Sequence, residues 1–262
     1  MKRFNGQIAL VTGASSGIGM AFAEKLAANG ADLILTARST NKLNELGNRL
    51  SAQYQIQVKT IAIDLSQPGS AQSLFRKTKK ENLSVDLLVN NAGFGKWGSF
   101  LEFDSQVYHE MLHLNINSVV ELTQLFLPSM LSNQSGGIIN VASTAAFLPV
   151  PYAAVYSASK SFVLYFSEAL HGEYYKKGIN VLALCPGGTK SNFASVANQK
   201  KTISTDQYET PEVVAENGLN AFLKNKPYVV SGTKNYLTTI IPRLLSRRRV
   251  IHISGDAWKK MI

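Results

Sequence analysis

The chain has 262 residues, 45% of them hydrophobic and 17% charged, which suits one α/β domain with a buried core and excludes a disordered or fibrous chain. Its formal net charge of +10 is scattered apart from Lys77/Lys79/Lys80 and Arg247-Arg248-Arg249, and no recognition-helix or RNA-binding pattern accompanies it, so nucleic acid is not an expected partner. A single cysteine, Cys185, excludes an internal disulfide and a cysteine metal cluster; no metal is expected, a reducing cytoplasmic setting fits, and the apolar run Ile8 to Val11 is too short for a signal peptide or a membrane span.

Short apolar runs, rich in β-branched residues, recur at Ile8 to Val11, Asp32 to Leu35, Val58 to Ile63, Leu87 to Val89, Gly137 to Val141, Asn180 to Leu184 and Tyr228 to Val230. Each is apolar on both faces, as a strand of a parallel sheet covered by helices on either side must be. Helical patterns lie between them, including Met20 to Asn29, closed by Gly30, and Ser118 to Leu131, where Leu122, Leu125, Phe126 and Met130 can share one face. Thr210-Pro211-Glu212 combines an N-cap, a proline at the first helical position and an acid at the positive helix end, and opens a helix to about Leu223. The alternation predicts a doubly wound α/β fold of Rossmann type, one domain over 1–262 with about seven parallel strands. Lys190 to Gln207 reads as a long polar loop, and about 190–225 as a substrate loop with a lid helix, because so long a loop in a compact domain is usually functional. Residues 235–262 form a C-terminal tail.

Directly after the first strand stands Thr12-Gly13-Ala14-Ser15-Ser16-Gly17-Ile18-Gly19. Glycines there permit a tight turn and the close approach of a pyrophosphate, whose charge the free amides of the following helix stabilise. Three residues and then one separate these glycines, and in this the chain resembles the short-chain dehydrogenase/reductase family. An acid at the end of the second strand would bind the ribose 2′-hydroxyl of NAD; here the strand ends Thr36-Ala37-Arg38-Ser39, and Asp32 lies at its start, about 13 Å from the far end. Arg38 can grip phosphate oxygens with two donors, which argues for NADP(H) over a merely solvated arginine. The resemblance further implies adenine contacts from Asp64 and Leu65 and a cofactor-lining Asn91-Ala92-Gly93 at the ends of the third and fourth strands.

Tyr156 and Lys160 are four apart and so share a helix face. An ammonium close to a phenol favours the phenolate and lowers its pKa, so that Tyr156 can exchange a proton with a substrate oxygen. Ser143 precedes Tyr156 by thirteen residues, the family's spacing for its catalytic Ser and Tyr, and a fixed hydroxyl there would stabilise negative charge developing on the substrate oxygen. The resemblance implies Asn115 as a fourth catalytic position holding a water that relays protons from the lysine, with Asn117 a nearby competitor; alignment to Leu127-Pro128 favours Asn115. It also implies that Pro186-Gly187 with Thr189 and Ser191 holds the nicotinamide amide, Ser191 standing where the family usually has Thr. Cys185 reads as a buried small residue, since no histidine dyad accompanies it.

The motifs run in order from about Ile8 to Ser191, and substrate choice falls to the remainder. Phe94, Trp97, Ala145, Phe147, Leu148, Pro149 and Tyr152 are the expected substrate walls; being nearly all apolar, they suggest a hydrophobic carbonyl or alcohol as the small-molecule partner. The tail, with Tyr236 to Ile241 and the arginine run, reads as packing over the cleft or at a subunit contact in preference to lying on lipid. Together these readings predict an NADP(H)-dependent oxidoreductase, a homodimer or homotetramer, moving hydride reversibly between nicotinamide and a carbonyl or secondary alcohol. The alternative is a cofactor-binding sensor or scaffold that keeps the fold without the chemistry.

Overall fold

The computed structural model describes residues 3–191, 193, 197 and 208–259. Its strands are β1 Ile8–Thr12, β2 Asp32–Ala37, β3 Val58–Ala62, β4 Leu87–Asn90, β5 Gly137–Val141, β6 Asn180–Cys185 and β7 Tyr228–Val230, paired in the order β3-β2-β1-β4-β5-β6-β7 with every pairing parallel. All seven expected strands form. The helices are α1 Gly17–Ala28, α2 Thr40–Tyr54, α3 Ser70–Lys80, α4 Ser105–Leu112, α5 Ser118–Asn133, α6 Ala154–Tyr174, α7 Pro211–Leu223, α8 Thr233–Ile240 and α9 Arg247–Lys259.

Because side chains alternate across a strand, each strand feeds two cores. Ala9, Val11, Leu33, Leu35, Leu87 and Val89 face α1, α2 and α7, meeting Phe22, Leu26, Leu43 and Phe222. Leu10, Ile34, Leu88 and Ile138 face the opposite layer, meeting Leu74 of α3 and Leu122, Phe126 and Met130 of α5. The chain reverses its direction of travel across the sheet between β1 and β4, so the carboxyl ends of these two neighbours open a crevice, the usual ligand position in such sheets.

Helix α7 begins as the sequence predicts: the Thr210 hydroxyl accepts from the Val213 amide and Pro211 occupies the first turn. It is not a lid. Val214, Ala215, Leu219 and Phe222 bury its apolar stripe in the core beside α1, and Gly218 is needed there, since a Cβ would come within 3.0 Å of both Leu184 and Phe22. The loop expected over Lys190 to Gln207 lies, apart from Lys190, Ser191, Phe193 and Ala197, outside the described residues. Among the described residues no helix is long and apolar enough to cross a membrane.

Candidate active site

One cleft of about 990 Å³ runs along the carboxyl edge of the sheet, from Gly13 and Arg38 at one end to Trp97 and Trp258 at the other. Its floor is bolted at the β1/β4 crevice. The Thr12 hydroxyl donates to the Val89 carbonyl at 3.2 Å and accepts from the Asn91 and Ala92 amides at 2.9 Å each. Asn91 Nδ2 in turn donates to the carbonyls of Thr12 at 2.8 Å and Gly13 at 3.3 Å. The Asn91 amide leaves no room above the first turn of α1: a Cβ on Gly19 would lie 2.5 Å from Asn91 Nδ2 and 2.3 Å from the Gly13 carbonyl oxygen. Gly13 and Gly17 take φ of 65° and 55°, so the turn also needs their left-handed backbone.

Helix α1 opens into this cradle with no side-chain cap at Ser16 and no acid in its first turn. Uncapped amides at a positive helix end, under a roof cleared of side chains, suit a pyrophosphate. Ser15, Ser16, Gly17 and Ile18 line the cleft, as do Asp64, Leu65, Ala92, Gly93, Pro186, Gly187, Thr189 and Ser191. At the end of β2, Arg38 is exposed and also lines the cleft, with Ser39 and Lys42 beside it. Lys42 was not anticipated, although its place four residues after Arg38 at the start of α2 was a readable hint.

Tyr156 and Lys160 project from α6 into the middle of the cleft, both buried, with Lys160 Nζ 5.9 Å from the Tyr156 ring centre. The Ser143 side chain accepts from the Ala145 amide at 3.1 Å, which fixes its rotamer, and acts on the Tyr156 hydroxyl so as to lower its pKa. Lys160 Nζ donates to the Val141 carbonyl at 2.8 Å. Asn115 is fully buried in a π-helical turn, His113–Asn117, inserted between α4 and α5. Such a wide turn is typical of functional positions. Here it lets the Asn115 side chain accept from the Phe94 amide at 3.1 Å and donate to the Phe94 carbonyl at 3.0 Å and to Ser159 Oγ at 3.1 Å. Asn117, the competing candidate, is exposed.

Burial dominates the electrostatics. It pushes the Tyr156 hydroxyl up to about 12, partly offset by the Ser143 side chain, which pulls it down. It also drives the Lys160 ammonium down to about 8, against a small opposing pull from the Cys185 thiol. This differs from the expectation that Lys160 would lower Tyr156: the ammonium spends a hydrogen bond on Val141, and loss of water around the phenol outweighs its field. Cys185 is buried behind this pair with its own thiol pushed well up, as an inert core residue should be.

Four expected substrate walls, Phe147, Leu148, Pro149 and Tyr152, fall outside the cleft. Ala145 reaches the cleft, but Phe147, two residues on in the tight 3-10 turn Thr144–Phe147, points away and packs near Tyr228 at 6.1 Å and Arg243 at 5.9 Å. Tyr152 takes a left-handed backbone with φ of 66° and lines a separate hollow with Lys96, Phe100 and Tyr108. Leu148 is partly buried beside Val150, and the Pro149 carbonyl accepts from Ser254 of α9. Leu114, Phe193, Tyr208 and Trp258 line the cleft unforeseen, brought there by tertiary packing that no local pattern encodes.

A nucleotide cradle at the switch point of a doubly wound sheet, joined to a buried Ser-Tyr-Lys cluster, defines a nucleotide-dependent oxidoreductase. The family profile described as short chain dehydrogenase matches residues 7–202, and the chain belongs to that family. It is 34% identical over 242 residues to the very-long-chain 3-oxoacyl-CoA reductase of Mus musculus, covering 91% of this chain and 76% of the relative. Among solved structures, a short-chain dehydrogenase from Sphingobium yanoikuyae in complex with NADPH superposes with a TM-score of 0.81 at 26% identity, over 91% of this chain and 94% of that one. The bulky-bulky ketone specific alcohol dehydrogenase from Comamonas testosteroni gives 0.78 at 26% identity, over 92% and 93%.

Proposed function

We propose that this protein is an NADPH-dependent reductase of ketones carrying an apolar substituent, running reversibly as an alcohol dehydrogenase, with Asn115, Ser143, Tyr156 and Lys160 as its catalytic set. The observation that carries the reading is buried Tyr156, with Ser143 acting on its hydroxyl and Lys160 Nζ 5.9 Å from its ring centre, in the same cleft as the glycine cradle and Arg38. NADPH, when bound, supplies the hydride. Its pyrophosphate would lie on the α1 amides, and its 2′-phosphate against Arg38, Ser39 and Lys42; the NADPH complex of the Sphingobium relative supports this choice of nucleotide.

In reduction Ser143 and Tyr156 donate hydrogen bonds to the substrate carbonyl oxygen, and Tyr156 gives up its proton as negative charge develops there. A phenol held at about 12 is protonated at neutral pH, which suits it to act as an acid. Lys160, charged below about pH 8, stabilises the phenolate left behind. Asn115 pins the Phe94 backbone, so that the wall ahead of Tyr156 keeps its place; as in the family's pattern, it would hold a water for proton return to Lys160. The half-buried Phe94 and Trp97 favour an apolar arm on the carbonyl, and the ketone dehydrogenase from Comamonas is consistent with a bulky one.

Cytoplasmic residence and a homodimer or homotetramer complete the reading. A single buried thiol suits a reducing compartment, and α6 carries Phe162 and Tyr165 at 40% and 68% exposure, a surface that subunit contact would cover. The functional test is consumption of NADPH against a panel of aliphatic and aromatic ketones, with Tyr156→Phe as control. Turnover that Tyr156→Phe abolishes, with NADPH binding retained, supports the reading. NADPH binding with no turnover of any carbonyl would instead make the protein a cofactor-binding sensor.

A further inference from the structure

Four aromatic rings stand in a row inside the cleft. The Tyr156 ring centre lies 5.6 Å from that of Phe193, Phe193 lies 6.4 Å from Trp97, and Trp97 meets Trp258 edge to face at 5.0 Å. The row starts at the proton donor and ends on α9, the last helix of the chain. The buried Trp97 Nε1 has no hydrogen-bond partner, so ring packing fixes this indole and Trp258 is the ring packed squarely on it.

Helix α9 is seated on the segment that follows Ser143. Val250 and Ser254 are buried at successive turns, and Trp258 continues the same face into the cleft. Ser254 Oγ donates to the Pro149 carbonyl at 2.9 Å. Gly255 allows the close approach, since a Cβ there would come within 3.3 Å of Pro151 Cγ. Arg248, Arg249, His252, Asp256 and Lys259 remain exposed, so the inward face is the one that meets the site.

We propose that α9 is a wall of the substrate site and that Trp258 is a specificity-determining residue, closing the apolar channel at the end away from Tyr156 and setting how long an arm the reacting carbon carries. This rests on the ketone-reducing reading above. Apolar arms too short to pass Trp97 gain nothing from Trp258. A longer arm leaves water along the whole row of rings, and each methylene so buried raises kcat/KM about fourfold.

The test compares 2-butanone with 2-decanone in wild type, Trp258→Ala and Trp258→Phe, with far-ultraviolet circular dichroism as a check on folding. The ratio of kcat/KM for 2-decanone to that for 2-butanone should fall about tenfold or more in Trp258→Ala, and less in Trp258→Phe. An unchanged ratio, with both ketones falling together or neither falling, overturns the assignment. A second readout does not need turnover. The chain has two tryptophans, so in Trp97→Phe the emission comes from Trp258 alone. With NADP⁺ present, 2-decanone should shift that emission and 2-butanone should not. If the emission responds while no ketone is reduced, the reaction assignment fails and the wall stands; if ketones are reduced and the emission stays silent, the wall fails and the reaction stands.

Discussion

Lys160 should make the protein less stable than it would be without it. Its ammonium is buried and its pKa falls from 10.5 to about 8, so below pH 8 folding takes a charged group out of water. At pH 7 a shift of that size corresponds to about 3 kcal/mol of destabilisation. Lys160→Met removes the charge, keeps most of the apolar stem, and gives up one hydrogen bond to Val141, worth about 1 kcal/mol. The variant should therefore be about 2 kcal/mol more stable than wild type at pH 7 while losing activity. The sign with pH follows. Between about 8 and 10.5 the folded amine has lost its proton and the unfolded one keeps it, so wild-type stability rises with pH. Tyr156 acts the other way only above pH 10, where the unfolded phenol ionises and the folded one, at about 12, does not. Urea unfolding of both proteins without nucleotide, at pH 7 and about pH 9.5, should show the advantage of Lys160→Met shrinking by about 2 kcal/mol. A variant less stable than wild type at pH 7, or an advantage that ignores pH, would refute the argument that an unrelieved buried charge sits in this site.

Arg38→Ala should weaken NADPH binding roughly tenfold to a hundredfold, as loss of charge-assisted phosphate contacts does, and leave NADH binding little changed; parallel calorimetry reads both. Ser143→Ala removes the hydroxyl that acts on Tyr156 and one donor to the substrate oxygen, and kcat should fall about 10²- to 10³-fold with NADPH affinity retained. Gly19→Ala drives a Cβ into the Gly13 carbonyl and the Asn91 amide, so the cradle must distort; a drop of several degrees in Tm together with loss of NADPH binding is expected. The pH profile of kcat/KM for NADPH, which reports the free enzyme, should fall above about pH 8 as Lys160 loses its charge.

The fold was legible because its signals are short-range. Every strand but β3, which carries Lys59 and Thr60, is a dense apolar run, and the start of α7 could be read to within a residue because Thr210, Pro211 and Glu212 each satisfy a separate requirement of a helix start. The nucleotide end was legible for a similar reason: glycine spacing dictates where backbone can approach a ligand. The substrate end was not. Whether Ala145 or Phe147 meets the cleft depends on a 3-10 turn in place of an extended strand, and hydropathy does not distinguish them. Trp258 lies more than a hundred residues from Tyr156, and its place follows from Ser254 and Gly255 docking on Pro149 and Pro151. The stripe Val214, Ala215, Leu219 and Phe222 buries one face of α7 in the core, a feature that the length of the preceding loop does not announce.

Burial moves Tyr156 and Lys160 in opposite directions, and both moves favour the uncharged form. Near neutral pH the phenol therefore keeps its proton firmly while the ammonium, with a pKa of about 8, stays charged by a small margin. That resting state is armed for donation to a carbonyl oxygen. The reverse reaction needs the phenolate, which this site disfavours until a further positive charge enters it. An oxidised nicotinamide ring carries such a charge, whereas the reduced ring does not. In the proposed reaction the same four residues would thus serve both directions, with bound NADP⁺ favouring release of the Tyr156 proton and NADPH its retention. For this reason the pH dependence of alcohol oxidation should be displaced toward alkaline pH relative to that of ketone reduction in the same preparation. Coincident profiles would mean that Tyr156 is not the group whose ionisation limits either direction.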